Sequence, residues 1–129
     1  MKFGATMRDE ICYWFRIRLR KLGDSWQNRP DEVERLVEYS REHERFGDFL
    51  MCCGSKAEAF RQYASAAQVC LLCSDIHWSQ SERGYVLCRR LRERFCMMYD
   101  ICRRMMKENE ELKSIARKLE LEKDFRSIR

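Results

Sequence analysis

From Tyr85 to Arg129 the chain has neither glycine nor proline, and apolar residues recur there on a seven-residue step: Leu91, Met98, Met105, Leu112 and Leu119. Ile101 and Ile115 follow two of these after three residues. That is the a/d pattern of a helix burying one seam along its length against another helix. Read over residues 80–129, it predicts a single helical rod about 60 Å long at 1.5 Å per residue. The chain before it is too short to cover such a rod, so the pattern predicts a coiled coil between two copies, a homodimer. Glu108 and Glu122 occupy two d positions, which weakens the seam, and the rest of the chain is expected to contribute to dimerisation.

The expected fold is all-α, with a compact cysteine-containing head over residues 1–79 and the long coiled-coil helix over 80–129. One proline and five glycines in 129 residues, with 36% charged side chains, favour helices over a β-rich fold. No apolar run is long enough to span a membrane, and the first residues, Met1-Lys2-Phe3-Gly4-Ala5-Thr6, lack a signal-peptide core. The expectation is an intracellular protein, in which eight cysteines serve as metal ligands or buried thiols rather than as disulfides.

Residues 7–22 read as a first helix on the stripe Met7, Ile11, Phe15, Leu19 and Leu22, although Phe15-Arg16-Ile17-Arg18-Leu19-Arg20 also alternates as a strand would. Gly23 is placed to cap that helix. Pro30, with Asp31, Glu32 and Glu34 after it, starts a second helix. The polar run Ser40-Arg41-Glu42-His43-Glu44-Arg45 predicts an exposed turn in its middle, with His43 a surface residue, and Gly47 is a point of interruption. Cys52-Cys53-Gly54 marks a tight turn. Ser55 with Glu58 forms a capping box for a third helix, whose alanines permit close approach to a neighbour. Ser79-Gln80-Ser81-Glu82 can cap the long helix.

The sharpest chemical motif is Cys70-x2-Cys73-x3-His77. On a helix these positions share a face, and zinc asks for a tetrahedral fourth ligand. Cys53, or Cys52 beside it, supplies one from the preceding turn; Cys88 is an alternative. The expected site is a structural zinc held by Cys53, Cys70, Cys73 and His77, set against a reading of the same cysteines as packed apolar residues.

The chain carries no glycine-rich phosphate loop, Gly-x-Ser-x-Gly or His-Glu-x-x-His motif. It reads as a non-enzyme without a small-molecule substrate. Its net charge is +5, and the positive charge is concentrated in two places, the first helix and the start of the long one. Arginine suits phosphate because its planar guanidinium presents five donors. The candidate RNA-contacting residues are Arg16, Arg18, Arg20 and Lys21 on the first helix, and Arg89, Arg90, Arg92, Arg103 and Arg104 on the last. Trp14 is read either as core or, with Trp26 and Trp78, as a platform for stacking on a base or duplex end. Double-stranded RNA is read through its backbone and shape, and two basic stripes fit that partner.

A small chain with Cys52-Cys53-Gly54, a Cys/His cluster, basic patches and a C-terminal coiled coil resembles the cysteine-rich RNA-silencing suppressors of rod-shaped plant viruses. These are the hordeivirus gamma-b-like proteins, and the nearest in size and layout are the pecluvirus suppressors. Where that family has Cys-Gly-x-x-His, this chain has Cys53-Gly54 followed by Ala57, and His77 would take the histidine's place. The resemblance implies suppression of host RNA silencing by sequestering small interfering RNA duplexes, self-association through the coiled coil, and no enzymatic activity. It implies the host cytoplasm, or the peroxisome where a C-terminal Ser-Lys-Leu is present; this sequence closes Phe125-Arg126-Ser127-Ile128-Arg129.

Overall fold

The computed structural model describes residues 5–28, 33–71 and 82–119, with side chains over 6–24, 34–71 and 89–119. Among the described residues the protein is all helical. It comprises α1 (Ala5–Asn28), α2 (Val33–Cys52), α3 (Lys56–Val69), α4 (Glu82–Lys107) and α5 (Glu110–Lys118).

The α2–α3 hairpin is the centre of the fold. Gly54, at φ 77°, takes the left-handed conformation that ends α2, which is glycine's usual role past a helix C-terminus. The chain re-enters helix at Lys56 without the expected capping box, since the Ser55 side chain makes no cap bond to α3 and accepts from Arg8 of α1 instead. Ala59, Ala64, Ala66 and Ala67 are buried on α3 and let α2 come close. Gly47 does not interrupt α2. It sits under the Tyr63 ring, where an added Cβ would lie 2.8 Å from Cε1. Gly23 likewise does not cap α1, which continues to Asn28, and its bare Cα faces the Tyr39 hydroxyl. Both glycines serve close helix contact instead of termination.

α1 lies along α2 in the opposite direction. Arg8 meets Ser55, Phe15 stacks on Phe46 at 4.9 Å, and Arg18 reaches Glu42. The alternation at Phe15–Arg20 is therefore helical, with Phe15 and Leu19 turned inward. α4 packs on α3 and on α2, burying Leu91, Phe95, Met98, Tyr99, Cys102 and Met106. That stripe follows 3.6 residues per turn rather than 3.5, so Met106 replaces Met105 at the core end.

The polar middle of α2 is not an exposed turn. Ser40 and Glu42 are 0% and 2% exposed, because α1 and α4 cover them and supply charged or hydrogen-bonding partners, as buried polar groups require.

The single C-terminal rod is also corrected. The helix stops at Lys107 and restarts at Glu110. Asn109 takes an extended conformation, its side chain accepts from the Glu111 N–H at 2.9 Å, and Glu110 and Glu111 fill the first turn. This is a complete helix start signal. α5 then packs on α3 and α4, and Gln68 Nε2 donates to the Leu119 carbonyl at 2.9 Å. Leu112 and Ile115, the expected dimer seam, are 1% and 5% exposed within one chain.

Candidate nucleic-acid interface

The inner stripe of α1, from Arg8 through Cys12 and Phe15 to Leu19, is spent on α2. Its opposite face carries Tyr13 and Trp14, 57% and 53% exposed, with their rings edge to face at 5.7 Å. Trp14 is therefore not a core residue. Arg16, Arg20 and Lys21 are exposed beside these rings. Among the described residues none of the three forms a salt bridge or side-chain hydrogen bond. The outer face of α1 thus combines aromatic surface with guanidinium and ammonium donors.

Arg18, grouped with them from sequence, turns the other way. Its Nη1 lies 3.1 Å from Glu42 Oε1, and its guanidinium stands 5.8 Å from the Phe15 ring centre. Arg45 holds the other oxygen of Glu42 at 3.0 Å. A carboxylate this deeply buried needs such donors, so Arg18 anchors α1 to α2.

The arginines of α4 divide in the same way. Arg90 pairs with Glu34 of α2 at 2.5 Å. Arg94 pairs with Glu44 at 2.8 Å, with its side chain only 10% exposed. Arg89, Arg92, Arg103 and Arg104 stay on the outer surface. Arg89 leans on Glu93 at 3.3 Å, and Arg103 and Arg104 lean on Asp100 at 3.6 and 3.2 Å. These helix-neighbour pairs are weak and easily exchanged for another anion.

Between α2 and α4 lies a shallow groove of about 270 Å³, lined by Val37, Arg41, Arg90, Glu93, Arg94 and Met97. Arg41 is exposed and makes no ion pair among the described residues. The sequence reading missed it because Arg41 sits in a polar run with no periodic signal. Its place one helical turn after Val37, a core residue of α2, was the available clue.

Of the expected zinc ligands, the structure describes Cys53 and Cys70, and it sets them apart. Cys53 precedes α3 and Cys70 follows it, and the helix between them separates the two by about 20 Å. Cys70 is buried and donates from Sγ to the Ser40 hydroxyl at 3.6 Å and the Ala66 carbonyl at 3.4 Å. Burial pushes its thiol up to about 11, against the opposing effects of the Ser40 bond and Arg94. Separated by the length of α3, Cys53 and Cys70 do not share one ion. Cys73, His77 and Trp78 lie outside the described residues, as do Pro30, Ser79–Ser81 and the side chains of Trp26 and Cys88. No group of three or more potential metal-ligating side chains occurs among the described residues.

His43 is not a simple surface residue. It is half-buried, with Nδ1 2.8 Å from Gln62 Oε1 and its ring 5.0 Å from that of Tyr39. Burial lowers its pKa from the usual 6.5, outweighing the Gln62 bond and the Glu42 charge, which raise it.

No helix among the described residues is long and apolar enough to cross a membrane. Comparison of the chain with known protein families, curated proteins and solved structures gives no match.

Proposed function

We propose that the chain binds small interfering RNA duplexes and, by sequestering them in the cytoplasm of a host cell, suppresses RNA silencing without enzymatic chemistry. The observation carrying this reading is the outer face of α1. Arg16, Arg20 and Lys21 have no acidic partner among the described residues and stand beside the half-exposed rings of Tyr13 and Trp14. Unpaired guanidinium groups suit phosphate oxygens, and an exposed indole offers a stacking surface to an end base pair. Arg89, Arg92, Arg103 and Arg104 on α4 supply a second basic face. A homodimer would double both faces. Its contact would use exposed surface of α1 or α4, since Leu112 and Ile115 are buried within the monomer.

Fluorescence anisotropy with a labelled small RNA duplex tests the proposal. Affinity should fall linearly on a log–log plot against salt, as phosphate-dominated binding does. Replacing Arg16, Arg20 and Lys21 together by alanine should weaken binding by about tenfold or more, irrespective of duplex sequence. Absence of binding at low salt, or binding insensitive to salt, would sink the reading.

A second reading, a non-enzymatic adaptor acting through protein partners, draws on the exposed apolar side chains Met7, Tyr13 and Trp14 of the same helix. The charge-removing variant separates the two, because it would leave an apolar protein contact largely intact while abolishing RNA binding.

A further inference from the structure

The way α1 docks across the α2–α3 turn brings two thiols into one seam. On α1, Cys12 lies between Arg8 and Phe15. Near the turn, Cys53 lies between Phe49 and Ser55. The bracketing residues meet in pairs: Arg8 Nη2 donates to Ser55 Oγ at 2.5 Å, and the Phe15 and Phe49 ring centres are 5.9 Å apart. The antiparallel register therefore places Cys12 and Cys53 within the same short interval of the helix pair. Cys12 is on the inward stripe and buried, while Cys53 is partly exposed. Beyond Cys53, nothing lies within 4 Å of where a Cβ on Gly54 would stand, so the turn is open to a small reagent. Burial, more than any neighbouring charge, raises the Cys12 pKa; Arg16 and Arg8 act against it, and Cys53 is among the groups that raise it further. The two groups are thus within electrostatic reach. Both are reduced here.

We propose that Cys12 and Cys53 form a reversible disulfide that clasps α1 to the α2–α3 turn when the surroundings become oxidising. Cys53 is the entry point and Cys12 the resolving thiol. With glutathione disulfide as oxidant, the Cys53 thiolate attacks one glutathione sulfur, forms a mixed disulfide and expels one glutathione thiolate. The Cys12 thiolate then attacks Cys53 Sγ, closes the intramolecular bond and expels the second glutathione. The protein loses two electrons, which reduce the oxidant, and the two thiol protons end on the two glutathiones. Cys52 is exposed on the neighbouring position and is the thiol most able to compete. The pairing does not depend on what the outer face of α1 binds.

The test uses the full chain equilibrated with reduced and oxidised glutathione, alkylated, and digested without reduction. Trypsin leaves Cys12 in the peptide 9–16, and Cys52 and Cys53 together in 46–56. The expected product is these two peptides joined, at monomer mass, in both the native chain and Cys52→Ser. Cys12→Ser should instead accumulate a glutathione adduct on Cys53, and Cys53→Ser should form no linked pair. Hydrogen exchange over α1 should slow by about tenfold or more on oxidation, as expected of a cross-link that blocks local opening. Loss of the linked peptides in Cys52→Ser, pairing of Cys53 with another cysteine, or no intramolecular link at any redox ratio overturns the pairing. A link formed without slower exchange in α1 overturns the clasp.

Discussion

Arg94 of α4 donates from Nε to the Ser40 hydroxyl of α2 at 2.8 Å, and Ser40 is completely shielded from solvent. The same hydroxyl donates to the Ala66 carbonyl at 2.6 Å and accepts from the Cys70 thiol. One serine therefore ties together α2, α3 and α4, and Arg94 closes the link while its Nη2 holds Glu44. An arginine that looks in sequence like one of a basic patch is a structural bolt.

Removing that bolt should be costly. Arg94→Ala leaves Ser40 and Glu44 short of a donor in a partly dry seam, and the expected loss is about 1–3 kcal/mol. Arg89→Ala, which breaks only an exposed pair with Glu93, should cost under about 0.5 kcal/mol. Urea unfolding of the two variants measures the difference. Equal midpoints would show that the buried link contributes nothing.

Glu42 makes the corresponding connection on the α1 side, with Arg18 and Arg45 on its two oxygens. Glu42→Gln should destabilise by about 1–3 kcal/mol, because the buried group keeps its shape but loses its charge and turns an amide NH2 toward one of the two guanidinium groups. Arg18→Ala should lose part of the same energy, and the double variant should fall short of the sum. A thermodynamic cycle with no coupling between the two positions would remove the anchor role of Arg18.

His43 gives a pH dependence with a definite sign. Its folded pKa is lowered below 6.5, chiefly by burial, so the unfolded chain binds the proton more readily. The stabilisation is complete above the unfolded pKa and is lost as pH falls through the folded one. Unfolding free energy should therefore decline from pH 7 toward 5, and the decline should be shallower in His43→Gln. An unchanged pH profile in that variant would assign the effect to other groups.

Much of this architecture is legible in the sequence and some is not, for physical reasons. The all-helical class, the α2–α3 turn at Cys53-Gly54 and the alanine-lined contact of α3 follow from local rules of turn chemistry and side-chain size. Gly23 and Gly47 mislead because a glycine serves equally to end a helix or to admit a neighbouring ring, and only the fold tells which. The buried polar middle of α2 is hidden from periodicity because its partners, Arg18 and Arg94, come from distant parts of the chain. The break at Asn109 was visible: Glu108 spoils the heptad, and Asn109-Glu110-Glu111 spells a helix start. The continuous seven-residue count concealed it. Among the candidate RNA contacts, Arg16 and Arg20 look no different in sequence from Arg18. Phe15 and Leu19 fix which side is inside, but Arg16 and Arg18 flank that side symmetrically, and only the position of Glu42 in the fold tells them apart.

Gly47→Ala sets local propensity against packing. Alanine is the better helix former by about 1 kcal/mol, and α2 is continuous through this position. Yet its Cβ would lie 2.8 Å from Tyr63 Cε1, inside contact distance. The Tyr63 ring cannot easily retreat, because its hydroxyl donates to Asp48 at 2.6 Å and the side chain is buried in the core. The substitution should lower stability by about 1–3 kcal/mol, as overpacking does. Gly23→Ala meets only the end of Tyr39, at 3.2 Å, and the propensity gain should leave it near neutral. Thermal unfolding of both variants decides the matter, since a stabilised Gly47→Ala would mean that the α2–α3 contact is looser than the described packing.

Leu112→Glu distinguishes a core residue from a dimer seam. Leu112 is 1% exposed in a single chain, against α3 and α4. A glutamate there must bury an unpaired charge or expel α5, and the cost should be about 3 kcal/mol or more. The variant should therefore lose helicity and unfold at lower urea at every protein concentration. A seam residue would behave differently: the variant would stay folded, its mass by light scattering would fall to that of the monomer, and the stability loss would depend on concentration. A folded, stable Leu112→Glu monomer would return α5 to the coiled-coil role that its heptad spacing first suggests.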